Sequence, residues 1–252
     1  MIFLLGSATE YDPRLSYESF IPFEEQLEAL STAVNQGKVR MIGVSNETPY
    51  GLMKFHQLAD QCEQQTLQND SLISKETNNN SEINSVRRFH RIQTIQNCYN
   101  LLCRSSFDNG LSECCHHTNT ALLAYSPLAM GLLTGKYHTH FHGDMMEDES
   151  SFRLYKYKGR YAEAEDRYCL QKPNLGSAIQ QYVALAKKLN RSPVELALQF
   201  ILSNPLTAAI VIGASSESQL DHIVHCMNKE SLSDDELKQI HDIHTRYPNP
   251  AP

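Results

Sequence analysis

Apolar residues recur along this chain with two periods, and the two alternate. Residues 23–36, FEEQLEALSTAVNQ, set Leu27, Leu30, Ala33 and Val34 on one helical face, and Gly37 follows as a stop. Residues 39–46, VRMIGVSN, are a short run of β-formers and predict a strand. Residues 48–60 predict a helix with Pro49 at its first position and Leu52, Phe55 and Leu58 at helical spacing. A second strand is predicted at 92–99, a helix over roughly 108–117, and a third strand at 121–127, ALLAYSP, halted by Pro127. Residues 176–190 align Ile179, Tyr182, Val183, Ala186 and Leu189 on one helical face, and 192–203 opens with Ser192, Pro193 and Glu195 in capping-box order. Residues 208–214, AAIVIGA, read as a continuous apolar strand, and 216–227 and 233–244 as helices with serine caps.

Strands alternate with helices, and the strands are apolar runs. That combination predicts an α/β fold with a parallel sheet covered by helices. Residues 61–91 break the pattern: they have few large apolar side chains, an Asn triplet and no period, and they predict a disordered insertion between a helix and a strand. Residues 137–151 read as a polar loop. Polar residues gather where strands end: Ser45 and Asn46, Gln96 and Asn97, Tyr125 and Ser126, Ser215 and Ser216. In parallel α/β folds the chemistry collects at the carboxyl ends of strands.

Composition narrows the classes. The 252 residues are 41% hydrophobic with no Trp, as in a soluble globular domain. A net charge of -7 argues against a general nucleic-acid partner, which calls for a basic surface. Seven cysteines at irregular spacing read as free thiols of a reducing compartment. No run is long and apolar enough for a membrane span, so a cytoplasmic location without a membrane partner is expected.

Four motifs, GKVRMIGVSNETPYGLMKF, IQNCYNLLCRSSFDNGLSE, LLAYSPLAMGLLTGKY and IVIGASSESQL, together resemble the aldo-keto reductases, most of all their Tas-type branch, with potassium-channel β subunits as more distant relatives. The likeness covers nearly all of the chain except 61–91 and the first few residues. It implies a (β/α)8 barrel that binds NADP(H) and passes hydride to an aldehyde or ketone, a small carbonyl substrate. On the matching positions it implies that Gln96, Ser45 and Asn46 hold the nicotinamide carboxamide and that Tyr125 stacks on the ring. It further matches Ser126, Pro127, Leu128 and Gly131 to the loop after the pyrophosphate, and Lys136 to a basic residue near the adenosine phosphates. Gly213, Ser215 and Gln219 match the last phosphate loop, and Arg153 matches loosely an arginine near the adenosine end. Chemistry agrees in part: a carboxamide suits Gln and Asn, a flat ring suits a heterocycle, and a helix N-terminus suits a phosphate.

Each position has a structural rival. Ser216 and Gln219 form a capping box, Tyr125 is a core candidate, Gln96 and Asn97 are turn formers, and Lys136 and Arg153 read more simply as surface. The three at strand ends on one face, Asn46, Gln96 and Tyr125, favour the binding role.

The resemblance also exposes departures. His222 and Ile223 stand where the family carries an acidic residue and an Asn that contact adenine. The family's Tyr, Lys, Asp and His tetrad belongs to the first half of the barrel, which this chain lacks in the resemblance, so no residue is assigned a catalytic role. The expectation is a partial barrel of about four strands, N-terminally truncated. The rival functions are a non-catalytic cofactor-binding relative and an inactive fragment. Two further clusters read as structural: His138, His140 and His142 with Asp144 and Glu147 as a polar loop, and Cys114–His117 as core thiols beside surface histidines.

Overall fold

A computed structural model describes residue 14 and residues 21–73, 89–137, 141–142, 145–146, 167–169 and 171–251. In chain order the elements are α1 (Phe23–Asn35), β1 (Ile42–Ser45), α2 (Pro49–Ile73), β2 (Ile92–Cys98), α3 (Ser105–Asp108) and α4 (Leu111–Thr118). Strand β3 (Ala121–Tyr125) follows, then a 3₁₀ segment (Ala129–Thr134) and two short strands, β4 (Phe141–His142) and β5 (Met145–Met146). The chain continues with α5 (Leu175–Lys188), α6 (Pro193–Leu202), β6 (Thr207–Val211), α7 (Glu217–Met227) and α8 (Asp234–Arg246). The four longer strands form one sheet in the order β1-β2-β3-β6, with β1 parallel to β2 and β3 parallel to β6. This is the parallel α/β arrangement the sequence predicts.

By contacts the chain divides into two compact units: residues 1–96 with 110–121, and residues 97–109 with 122–252. In the first, α1 buries Leu27 and Leu30, and β1 is buried along its whole length. Gly37 ends the α1 turn at φ 69°, where its N–H reaches Val34 O at 2.8 Å. Thr48 caps α2 by accepting from Gly51 N at 3.1 Å, and Pro49 fills the first helical position. A side chain at Gly51 would collide with the Glu47 carboxylate, which is itself buried beside that cap.

In the second unit, α5 buries Leu175, Ala178, Ile179, Tyr182, Leu185 and Ala186, which is the predicted stripe shifted slightly toward its start. Helix α6 buries seven of its ten residues. One of them, Gln199, donates from Nε2 to the carbonyls of Cys226 at 2.9 Å, Met227 at 3.1 Å and Lys229 at 3.3 Å. It thereby satisfies the C-terminal end of α7, whose last carbonyls have no partner within the helix. Gln199→Leu is expected to lower stability by about 2 kcal/mol, since buried acceptors lose their donor. An unshifted denaturation midpoint would refute that role.

Four expectations are corrected. Helix α2 runs on through Ile73, so residues 61–73 of the expected disordered insertion are helical. Gln, Glu and Leu in QCEQQTLQ are good helix formers, and propensity extends a helix already begun without needing a buried stripe. Leu67 is accordingly 63% exposed. Residues 74–88 of that insertion lie outside the described residues. The helix expected over 108–117 is split into α3 and α4, because Gly110 adopts φ 85°. Residues 141–142 and 145–146 of the expected polar loop pair as an antiparallel ribbon. Lastly, β6 is not buried on both faces as its apolar run suggested: it is the outermost strand of the sheet among the described residues, and Val211 is 41% exposed.

Candidate functional site

The first constellation lies in the first unit, at the carboxyl ends of β1 and β2. Register places Ser45 opposite Gln96. The main-chain carbonyl of Gln96 accepts from Asn46 N at 3.0 Å and from Ser45 Oγ at 3.3 Å. Those two bonds hold the strand ends together, so the Ser45 hydroxyl is already engaged in structure. Asn46 turns the chain at φ 53°, a left-handed conformation that Asn tolerates better than most side chains. The half-buried carboxamide of Gln96 makes no hydrogen bond among the described residues. Its donor and acceptor remain available to a ligand with the complementary pair.

The second constellation lies in the second unit, around the end of β3. Tyr125 is half-buried, and Arg167 Nη1 donates to its hydroxyl at 3.3 Å with the guanidinium 5.8 Å from the ring centroid. Burial pushes the Tyr125 phenol up, and Arg167 partly opposes it. Beyond Tyr125 the backbone takes unusual angles: Ser126 at φ 54°, Ala129 at 48°, Met130 at 55° and Gly131 at 100°. Such angles in non-glycine residues cost free energy and gather where function requires a particular loop shape. Asn100 holds that shape, donating to Ser126 O at 2.9 Å. Pro127 is buried, and Leu128 packs on the apolar cluster of Val194, Leu198, Ile223 and Cys226. Lys136 is exposed, with Nζ 4.5 Å from the Tyr137 ring, and a side chain at Gly131 would touch it.

The last predicted loop is found where β6 meets α7. Gly213 is exposed, with open space where a side chain would stand. Ser215 donates from both N and Oγ to Gln219 Oε1 at 3.0 Å, and Ser216 Oγ accepts from Gln219 N at 3.3 Å. Gln219 thus closes on Ser215, one residue before the position the capping box requires, and these bonds explain both side chains as helix capping. Ile223 is buried in the apolar cluster, so the position expected to face adenine belongs to the core in this chain. Arg153 lies outside the described residues.

Two residues have roles that the sequence did not assign. Asn100, fully buried, links Ser126 to Tyr168 and Cys98. Arg167 reaches Tyr125 from 42 positions away, and no local pattern marks it. Of the rival clusters, Cys115 is buried beside exposed His116 and His117, as expected for a structural role. The described residues contain no group of His, Cys, Asp and Glu able to hold a metal ion. The three histidines of 138–142 and their acidic neighbours fall on residues whose side chains are not described. All seven cysteines are free, and no helix among the described residues is long and apolar enough to cross a membrane.

Comparison with known proteins supplies the lineage. An aldo-keto reductase of Babesia bovis is 31% identical over 237 residues, covering 92% of this chain and 70% of that protein. Protein tas of Escherichia coli K12 is 32% identical over 228 residues, covering 90% of this chain and 54% of that protein. A solved glycerol dehydrogenase from Gluconobacter oxydans superimposes with a TM-score of 0.59 at 22% identity, covering 92% of this chain and 57% of that one. The chain therefore spans 54–70% of the length of these relatives. Because the sequence profile of the aldo/keto reductase family matches residues 9–245 and the parallel α/β fold agrees with it, the chain belongs to that family.

Proposed function

We propose that the chain is an oxidoreductase that uses NADP(H), reducing a small aldehyde or ketone to an alcohol. The observation that carries this reading is the carboxamide of Gln96, half-buried at a strand end and without a hydrogen-bond partner among the described residues. The nicotinamide coenzyme supplies the hydride when bound. Gln96 and Asn46 then orient its amide, with Ser45 fixing the strand ends behind them. Tyr125 offers a ring for stacking, and Ser126, Pro127, Leu128 and Gly131 shape the loop that follows. Lys136 offers a cation to the phosphates, and Gly213, Ser215 and Gln219 offer them the positive end of the α7 dipole, the Ser215 and Gln219 N–H groups being engaged in capping. The reading carries with it a cytoplasmic location and neither nucleic acid nor membrane as partner; the net charge of -7 argues against a nucleic-acid surface.

One observation favours a second reading, cofactor binding without turnover. The groups facing Tyr125 are Arg167, Cys98 and Cys103, and burial raises its phenol rather than lowering it. Tyr125 is assigned to stacking, and the motifs assign no residue of this chain to protonate a carbonyl, which agrees with binding without turnover. The test is a titration of the chain with NADPH, followed by the cofactor's own fluorescence, which no Trp disturbs. Saturable binding is expected, and Gln96→Ala is expected to weaken it about tenfold, as for one or two lost hydrogen bonds. Absence of saturation would overturn both readings. Oxidation of NADPH on adding a reactive aldehyde then separates them.

A further inference from the structure

The thiols of Cys98 and Cys103 play no part in the cofactor reading, yet they share one buried place in the second unit. Between them the chain turns back on itself. Asn100 N donates to Cys103 O at 3.0 Å and Cys103 N to Asn100 O at 3.1 Å, an isolated antiparallel bridge. The Asn100 side chain touches both cysteines: Oδ1 accepts from Cys103 N at 3.0 Å, and Nδ2 points at Cys98 Sγ from 3.6 Å. Ser106 reaches both as well, its Oγ donating to Cys98 O at 3.1 Å and lying 3.9 Å from Cys103 Sγ. The two thiols are free and close enough to perturb each other's ionisation.

They are not equivalent. The Cys98 thiol, the Arg167 guanidinium and Ser106 together hold Cys103 below the ordinary thiol range, against the effect of burial. Contact with Cys103 and burial push Cys98 up. Among the described residues, the ionisable groups that act most on Arg167 are Cys98, Tyr125, Cys103 and Tyr168. A cation beside paired thiols is the setting that distinguishes a reactive cysteine from an inert core one.

We propose that Cys98 and Cys103 form a reversible oxidation site, which hydrogen peroxide closes to a disulfide. The Cys103 thiolate attacks one peroxide oxygen, the O–O bond breaks, and the departing hydroxide takes a proton to become water, leaving a sulfenic acid. The Cys98 sulfur then attacks that sulfur, the S–O bond breaks, and the second hydroxide leaves as water with the Cys98 proton. Two electrons pass from the two sulfurs to the peroxide. Both thiols are buried, and Tyr168, itself buried, lies with its hydroxyl 3.4 Å from Cys98 Sγ. Oxidation therefore proceeds more slowly here than at the partly exposed Cys62, Cys114 and Cys169.

The test uses the unmodified chain, reduced, freed of reductant and exposed to hydrogen peroxide. The protein is then denatured in N-ethylmaleimide and digested with trypsin, which releases both cysteines in one peptide, residues 92–104. That peptide is expected to be lighter by two hydrogens and to carry no maleimide, and dithiothreitol is expected to restore both labelling sites. In Cys98→Ser, Cys103 is expected to stop at a sulfenic acid that dimedone traps. A peptide that keeps both maleimides after Cys62, Cys114 and Cys169 have been oxidised overturns the proposal. So does a cross-link from either residue to another cysteine, such as Cys169.

Discussion

Asn100→Ala is expected to destabilise the chain by about 3 kcal/mol, because several buried hydrogen bonds go at once and their partners stay desolvated. Asn100 is fully buried. Its Nδ2 donates to Ser126 O at 2.9 Å and to Tyr168 Oη at 3.0 Å, and its Oδ1 accepts from Leu102 N at 2.9 Å and Cys103 N at 3.0 Å. Some partners keep a second bond: Ser126 O still accepts from Ala129 N, and Cys103 N still donates to Asn100 O. Leu102 N is given no other acceptor in the turn and bears most of the cost. Asn100→Asp separates the two halves of the role. It keeps the acceptor for the turn but loses the donor to Ser126 and buries a charge, so it is expected to be at least as damaging as Ala. Urea denaturation at neutral pH measures both variants. A loss under about 1 kcal/mol for Ala would show that water replaces the side chain at little cost.

Phe55→Ala is expected to cost about 3–5 kcal/mol, the range for emptying a large buried aromatic site. Phe55 is fully buried on α2, and Phe23 of α1 meets it edge to face with ring centroids 4.9 Å apart. The lost transfer free energy adds to a cavity that the helix pair cannot close, and the ring contact itself contributes about 0.5–1.5 kcal/mol. Phe55→Leu keeps most of the volume and is expected to lose well under half as much. Thermal unfolding of the two variants gives the comparison. Equal effects would mean that the ring contact, and not the cavity, dominates.

Much of the fold is legible in the sequence, since local periods follow from what each face must bury. The stripe of Leu27 and Leu30, the stripe of Ile179 and Tyr182, and the serine caps at Ser192, Ser216 and Ser233 all have counterparts in α1, α5, α6, α7 and α8. A capping serine acts on an N–H three residues away, so its effect is local. Where the reading failed, the deciding information was not local. The residues 61–73 lack an apolar stripe, but a helix already nucleated at Thr48 extends through them by propensity alone. The apolar run of β6 is the same string of residues whether it is central or outermost, and only the order of strands placed it outermost among the described residues.

The candidate site divides in the same way. The residue types at the strand ends, Asn46, Gln96 and Tyr125, follow from the sequence because a strand's end is readable from its length and its stop residues. The bonds those residues make depend on which strands lie side by side. Register brought Ser45 against Gln96, leaving the Gln96 carboxamide available while committing the Ser45 hydroxyl to the backbone. Folding also brought Arg167 to Tyr125 and joined Asn100 to Ser126 and Tyr168. By itself, then, the sequence determined the elements, their caps and the family to which the motifs point. The tertiary structure decided which polar groups are already satisfied and which remain for a ligand, because hydrogen-bond partners distant in the chain are chosen by packing.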